Sequence, residues 1–212
     1  MDPHPSEIAT PVPDSFSQME RVVLGAFRRW VSIALRPVVL LLQETGVKPT
    51  AVSLSQIPLG FTAAALIVPA PYAALALFLV TLLLDAIDGA LARATHQVSA
   101  FGALADQVAD HIRELTIIGG LVAAGALRGE IGVAYAALYP LSNFMVYASN
   151  RHGARIPLAV KTWLVFYPFL IAYLAFGTNL LNYAGAAAGA FMALSSMVAL
   201  VGLRGRMNGT AG

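Results

Sequence analysis

Four aspartates, Asp85, Asp88, Asp106 and Asp110, stand in a stretch of otherwise largely apolar sequence. An isolated ionised acid at membrane depth costs roughly 2.5 kcal/mol or more, so four of them in such surroundings imply bound groups that compensate their charge. Asp85 and Asp88 are three residues apart and share a helical face, and Gly102, Asp106 and Asp110, spaced by four, share another. Two antiparallel helices joined by the short loop 94–98 are expected to bring these stripes into one pocket. Mutual repulsion there would force protonation unless cations intervene, and two divalent ions supply the balancing charge. Oxygen ligands favour Mg2+ or Mn2+ over zinc. The chain has no cysteine, which excludes a thiolate ligand or nucleophile. Paired metals held by carboxylates suit displacement at phosphorus, where they polarise the phosphoryl group and stabilise the leaving oxygen.

The neighbours of these acids divide between chemistry and packing. Gly89 and Gly102 fit either a backbone approached closely by a ligand or a helix-packing contact. Arg93, eight residues past Asp85, can neutralise a phosphate or anchor the helix by snorkelling. His96 and His111 are expected to be a loop and a surface histidine, not ligands. Arg113 and Glu114 are expected to form a local charge pair.

The elements that must position these residues are set by composition. Of 212 residues, 58% are hydrophobic and 11% charged, against about 25% charged in soluble domains. The fold class expected is an all-α integral membrane protein with six transmembrane helices of about 20 residues each, preceded by an N-terminal interfacial amphipathic helix. Residues 1–14, with Pro3, Pro5, Pro11 and Pro13 and no basic cluster leading into an apolar core, are expected to be a disordered cytosolic tail and not a cleavable signal. In region 15–45, Phe16, Met19, Val23, Phe27, Trp30 and Ala34 share one helical face opposite Arg21, Arg28, Arg29 and Arg36, the pattern of a helix lying on an anionic leaflet. Spans are predicted over about 50–69, 72–93, 99–126, 130–149, 158–177 and 180–203, within a catalytic domain 46–206. A cytosolic tail, 207–212, is expected to follow. Pro58 and Gly60 predict a kink in the first span. Gly185 and Gly189 allow close helix approach within or between subunits.

If the spans alternate, Arg21, Arg28, Arg29, Arg36, Lys48, Arg93, Arg151, Arg155, Lys161, Arg204 and Arg206 fall on one side, and Arg128 with Glu130 on the other. The excess of positive charge predicts cytosolic termini and a cytosolic acid cluster in the inner membrane. A formal net charge of +2 makes nucleic acid no expected partner. Arg151, Arg155 and Lys161 can bind an acceptor phosphate or serve as positive-inside anchors.

The string Asp85-x-x-Asp88-Gly89-x-x-Ala92-Arg93, followed by Gly102-x-x-x-Asp106-x-x-x-Asp110, resembles the signature of the CDP-alcohol phosphotransferase family at each fixed position. The resemblance implies transfer of a substituted phosphoryl group from a CDP-linked donor, commonly CDP-diacylglycerol, to an alcohol, with release of CMP. It implies that Asp85, Asp88 and Asp106 bind the divalent cations with Asp110 contributing, and that Asp110 is the general base. It implies further that Gly89, Ala92, Arg93 and Gly102 line the CDP site and that the enzyme is a homodimer among membrane lipids. Phosphatidylglycerophosphate synthases of that family usually carry Asp-Pro-x-Ala-Asp-Lys around the last two acids, where this chain has Gln107 and His111 at the Pro and Lys positions. The resemblance therefore leaves the alcohol open. Two other classes also use acid clusters. An intramembrane prenyltransferase predicts two Asp-rich motifs on widely separated helices, and a cation transporter predicts midplane acids and often a repeated half.

Overall fold

A computed structural model describes residues 33–153 and 162–209. These form seven helices, and no strand occurs among the described residues. They are α1 (Arg36–Glu44), α2 (Pro49–Leu66), α3 (Pro71–Ala94), α4 (Ala100–Ala123), α5 (Gly129–Arg151), α6 (Thr162–Phe176) and α7 (Leu181–Gly209). Helices α2 to α7 are the six that the apolar runs predict, and α1 is the C-terminal part of the predicted interfacial helix. The rest of that helix, with Arg21, Arg28 and Arg29, lies outside the described residues, as do the N-terminal tail, Arg155 and Lys161.

Local chemistry sets the helix ends. Pro49 and Pro71 open α2 and α3 in the first turn, where a missing N–H costs nothing. The third predicted span extends to 126, but α4 stops at Ala123 because Gly125 turns into the left-handed region at φ 69°. The amides of Ala126 and Leu127 then bond back to the Leu121 carbonyl, and both side chains enter the core. The last helix runs on past the predicted end of its span, through the start of the expected tail, to Gly209. Pro58 stands inside α2, which continues to Leu66.

Among the described residues, three helices are long and apolar enough to cross a membrane: α3, α5 and residues Leu181–Arg206 of α7. Residues Trp163–Phe176 are apolar over a shorter length. In α4 the apolar run is broken by Asp106, Asp110, Arg113 and Glu114. Outward faces expose Leu79, Leu83, Phe144, Met197 and Val201, an apolar surface suited to lipid.

Packing departs from the simple hairpin that the short loop predicts. Helix α2 lies along both α3 and α4, whereas α3 and α4 make little direct backbone contact with each other. The main core gathers Phe78, Ile118, Leu121, Tyr135, Phe166 and Leu170. A smaller cluster of Leu35, Val39, Val52, Ile87 and Leu91 fixes α1 to the ends of α2 and α3 near the acids.

Glycines set the closest approaches. A Cβ at Gly60 would lie 3.3 Å from the Arg113 Cα, so this residue admits the close approach of α4. A Cβ at Gly120 would lie 2.9 Å from the Ala64 Cβ and 3.1 Å from the Ala64 carbonyl oxygen. Gly185 receives Ile131 and Leu127, and α5 packs closely on α7, so this small residue serves packing within the chain. Because backbone opposes Gly120, Gly120→Val is expected to destabilise the protein by about 1–3 kcal/mol, the usual cost of overpacking. Unfolding in detergent checks this, and an unchanged midpoint would contradict the α2–α4 contact.

Candidate active site

The acids lie in the C-terminal half of α3 and the N-terminal half of α4. Helix α3 stops where His96 adopts a left-handed conformation at φ 55° and the Gln97 amide bonds to the Ala92 carbonyl. Ser99 then caps α4, its hydroxyl accepting from the Gly102 amide at 3.0 Å. This tight link puts Asp85 and Asp88 opposite the second turn of α4. Carboxylate oxygens of Asp85, Asp88 and Asp106 all lie within 4.8 Å of one another. Asp88 is buried, and the other two are half-buried.

Three carboxylates this close repel one another unless a cation lies between them. The Asp106 Oδ1 is buried with no hydrogen-bond partner among the described residues, which is costly for an anion left to itself. An all-oxygen donor set with an unsatisfied buried oxygen fits a hard divalent cation such as Mg2+ or Mn2+. The histidines take no part in this set. His96 is exposed in the link, and the His111 Nδ1 lies 2.5 Å from the Gln107 carbonyl with its ring against Tyr139.

Asp110, one turn further along α4, is held apart from the trio. Its Oδ1 lies 2.9 Å from the Arg113 Nη1. Arg113 also donates to the Gln56 Oε1, and the Gln56 Nε2 donates to the Asp88 Oδ2 at 3.5 Å. The expected Arg113–Glu114 pair is therefore corrected. Successive helical residues do not face each other, so Arg113 turns to Asp110 and Gln56. Glu114 instead accepts from the Tyr135 hydroxyl and from the Tyr167 hydroxyl, the latter at 2.7 Å.

At the rim, a Cβ on Gly89 would meet only the Arg93 Nη1, at 3.3 Å, so the backbone there is open apart from that guanidinium. Arg93 also lines a cavity of about 340 Å³ with Arg36, Val39, Ala90 and Ala94. Ala92 is half-buried on the same turn. At Gly102 the nearest atom to a Cβ is the capping Ser99 Oγ, 3.1 Å away. Arg151 ends α5 and is exposed.

The spacing of the acids therefore finds Asp85, Asp88 and Asp106 and brings them together, and it leaves Asp110 on a separate partner. It does not find Gln56, Arg113 as a partner of Asp110, or Arg36 opposite Arg93. A signal for Gln56 exists, because Ser53 and Gln56 are polar residues three apart in an apolar helix.

The family model described as CDP-alcohol phosphatidyltransferase matches residues 46–201. Archaetidylinositol phosphate synthase of Pyrococcus horikoshii is 44% identical over 48 residues, which is 23% of this chain and 26% of that protein. The chain thus aligns with about a quarter of the length of this curated relative.

Proposed function

This chain belongs to the CDP-alcohol phosphatidyltransferase family, and from that premise we propose that it transfers a substituted phosphoryl group from CDP-diacylglycerol to an alcohol and releases CMP. The observation that carries the reading is the carboxylate trio within 4.8 Å, placed by the family motif on two helices. In the reaction an acceptor oxygen attacks the lipid-linked phosphorus and the bond to the CMP oxygen breaks. The acceptor proton passes to Asp110.

Asp85, Asp88 and Asp106 would hold two divalent cations. When bound, the cations neutralise the diphosphate and stabilise the departing CMP oxygen. Asp110 accepts the proton as general base, and Arg113 holds its carboxylate in place. The open backbone at Gly89, with Ala92 and Gly102 near by, admits the CDP moiety, and Arg93 with Arg36 supplies guanidinium donors for phosphate.

Helices α2 to α7 are read as six crossings of the inner membrane, with both termini and the acids on the cytosolic side, in a homodimer. Support comes from the chain ends: Arg36, Lys48, Arg93, Arg151, Arg204 and Arg206 fall at one end of the alternating helices. Arg128, paired with Glu130, falls at the other. Arg151, Arg155 and Lys161 are assigned to an acceptor phosphate, and the partial likeness to an archaetidylinositol phosphate synthase favours inositol phosphate as that acceptor.

The test supplies purified protein with CDP-diacylglycerol and Mg2+ and follows CMP release over inositol phosphate, glycerol 3-phosphate and serine. CMP formation that requires one of these alcohols is expected. Absence of CMP with every acceptor would overturn the reaction.

A further inference from the structure

Two of the most deeply buried polar side chains at the site belong to no part of the family motif. Gln56 is 0% exposed and Arg113 is 4% exposed. Together they complete a polar chain, Asp88 to Gln56 to Arg113 to Asp110, that passes from α3 through α2 to α4. It joins one acid from each half of the motif, across helices that make little direct backbone contact.

The chain has a direction that a carboxamide provides. Arg113 offers donors alone, and an ionised Asp88 accepts alone. The residue between them must accept on one side and donate on the other, as a carboxamide does. A Glu at position 56 would face Asp88 with a second acceptor, and a Lys would face Arg113 with a second donor. Burying these groups is expensive, and the Arg113 Nε is buried without a hydrogen-bond partner among the described residues. Apolar side chains of the same size would fill the space at no such cost, so packing alone does not account for the pair.

We infer that Gln56 and Arg113 are positioning residues that fix the carboxylates of Asp88 and Asp110 relative to each other. Gln56 orients Asp88 toward the trio, and Arg113 draws Asp110 out of it, which separates the group that holds a cation from the group that takes the proton. This rests on the metal-dependent reading above.

The test uses the full chain in detergent, with Mn2+ titrated by electron paramagnetic resonance beside thermal unfolding and steady-state kinetics. Gln56→Met keeps the length of the side chain and removes both hydrogen bonds. Its Mn2+ affinity is expected to fall about 10- to 100-fold, the usual effect of losing an outer partner of a ligand. The loss in kcat should exceed the rise in KM for CDP-diacylglycerol. If the two residues act as one chain, Gln56→Met combined with Arg113→Met loses little more Mn2+ affinity than the worse single variant.

Wild-type protein that binds no Mn2+ would overturn the metal reading itself. Wild type that binds Mn2+ beside a folded Gln56→Met that binds it equally would overturn the positioning role alone. Should Gln56→Met not fold, Gln56→Asn keeps the carboxamide on a shorter stem and is expected to fold with weakened Mn2+ binding. Failure of both to fold, or wild-type binding in Gln56→Asn, would assign the pair to structure and overturn the inference.

Discussion

Asp110→Asn is expected to lower turnover by about 100- to 10,000-fold, the range a positioned general base contributes, with little change in fold. The amide has the shape of the carboxylate and its oxygen can still face the Arg113 guanidinium, 2.9 Å away in the native ion pair. It cannot take a proton at neutral pH. Asp110 also lies outside the trio within 4.8 Å, so Mn2+ binding by the variant should stay within a few-fold of wild type. CMP release under single-turnover conditions, run beside Mn2+ titration, checks both parts. Near-normal turnover would remove Asp110 as the base, and a loss of Mn2+ binding as large as that of turnover would make it chiefly a ligand.

The second large effect concerns Asp106. Chelation by EDTA is expected to abolish CMP release, and Mg2+ or Mn2+ to restore it. Asp106→Asn should weaken Mn2+ binding by more than the roughly 100-fold upper range for outer partners. The stability of the two proteins should then diverge. Without a cation, the wild type carries a buried carboxyl oxygen with no hydrogen-bond partner among the described residues beside two other acids, and must either bear that charge or take up a proton, so a neutral amide there should raise the midpoint of the metal-free protein. With Mn2+ at 100 times its Kd, the wild type gains about 2.7 kcal/mol, and the variant gains far less. Unfolding scans with and without Mn2+ measure the crossover. Equal stabilisation of both proteins would place the ion elsewhere.

What could be read from the sequence follows the range of the interactions involved. The helices are legible because each apolar run is bounded by residues whose backbone chemistry is local, such as Pro71 at the start of α3 or Gly125 and Gly177 in left-handed turns. Asp85, Asp88 and Asp106 are legible because three- and four-residue spacing fixes a helical face and a short link fixes the partner. Gln56 is not, because its bonds reach residues 32 and 57 positions away, and no periodicity encodes which helix will lie between two others. Adjacency also misleads: Arg113 and Glu114 are neighbours in sequence, yet one serves the acids while the other accepts two tyrosine hydroxyls. One competing class separates on the same geometry. Asp85, Asp88 and Asp106 form a single group on α3 and α4, where a prenyltransferase needs two distant motifs.

Gly60 has the widest reach of the small residues. Its missing side chain lets the Arg113 backbone come within 3.3 Å of where a Cβ would stand, and Arg113 in turn grips Asp110 and Gln56. A bulkier residue there would shift α4 by a few tenths of an ångström, which is also the scale that distinguishes ions. Mg2+ takes ligands at about 2.0–2.1 Å and Ca2+ at about 2.3–2.6 Å. In the proposed metal-dependent reaction, ion-size discrimination would depend partly on this helix spacing, which is set by a residue that touches neither ion nor substrate.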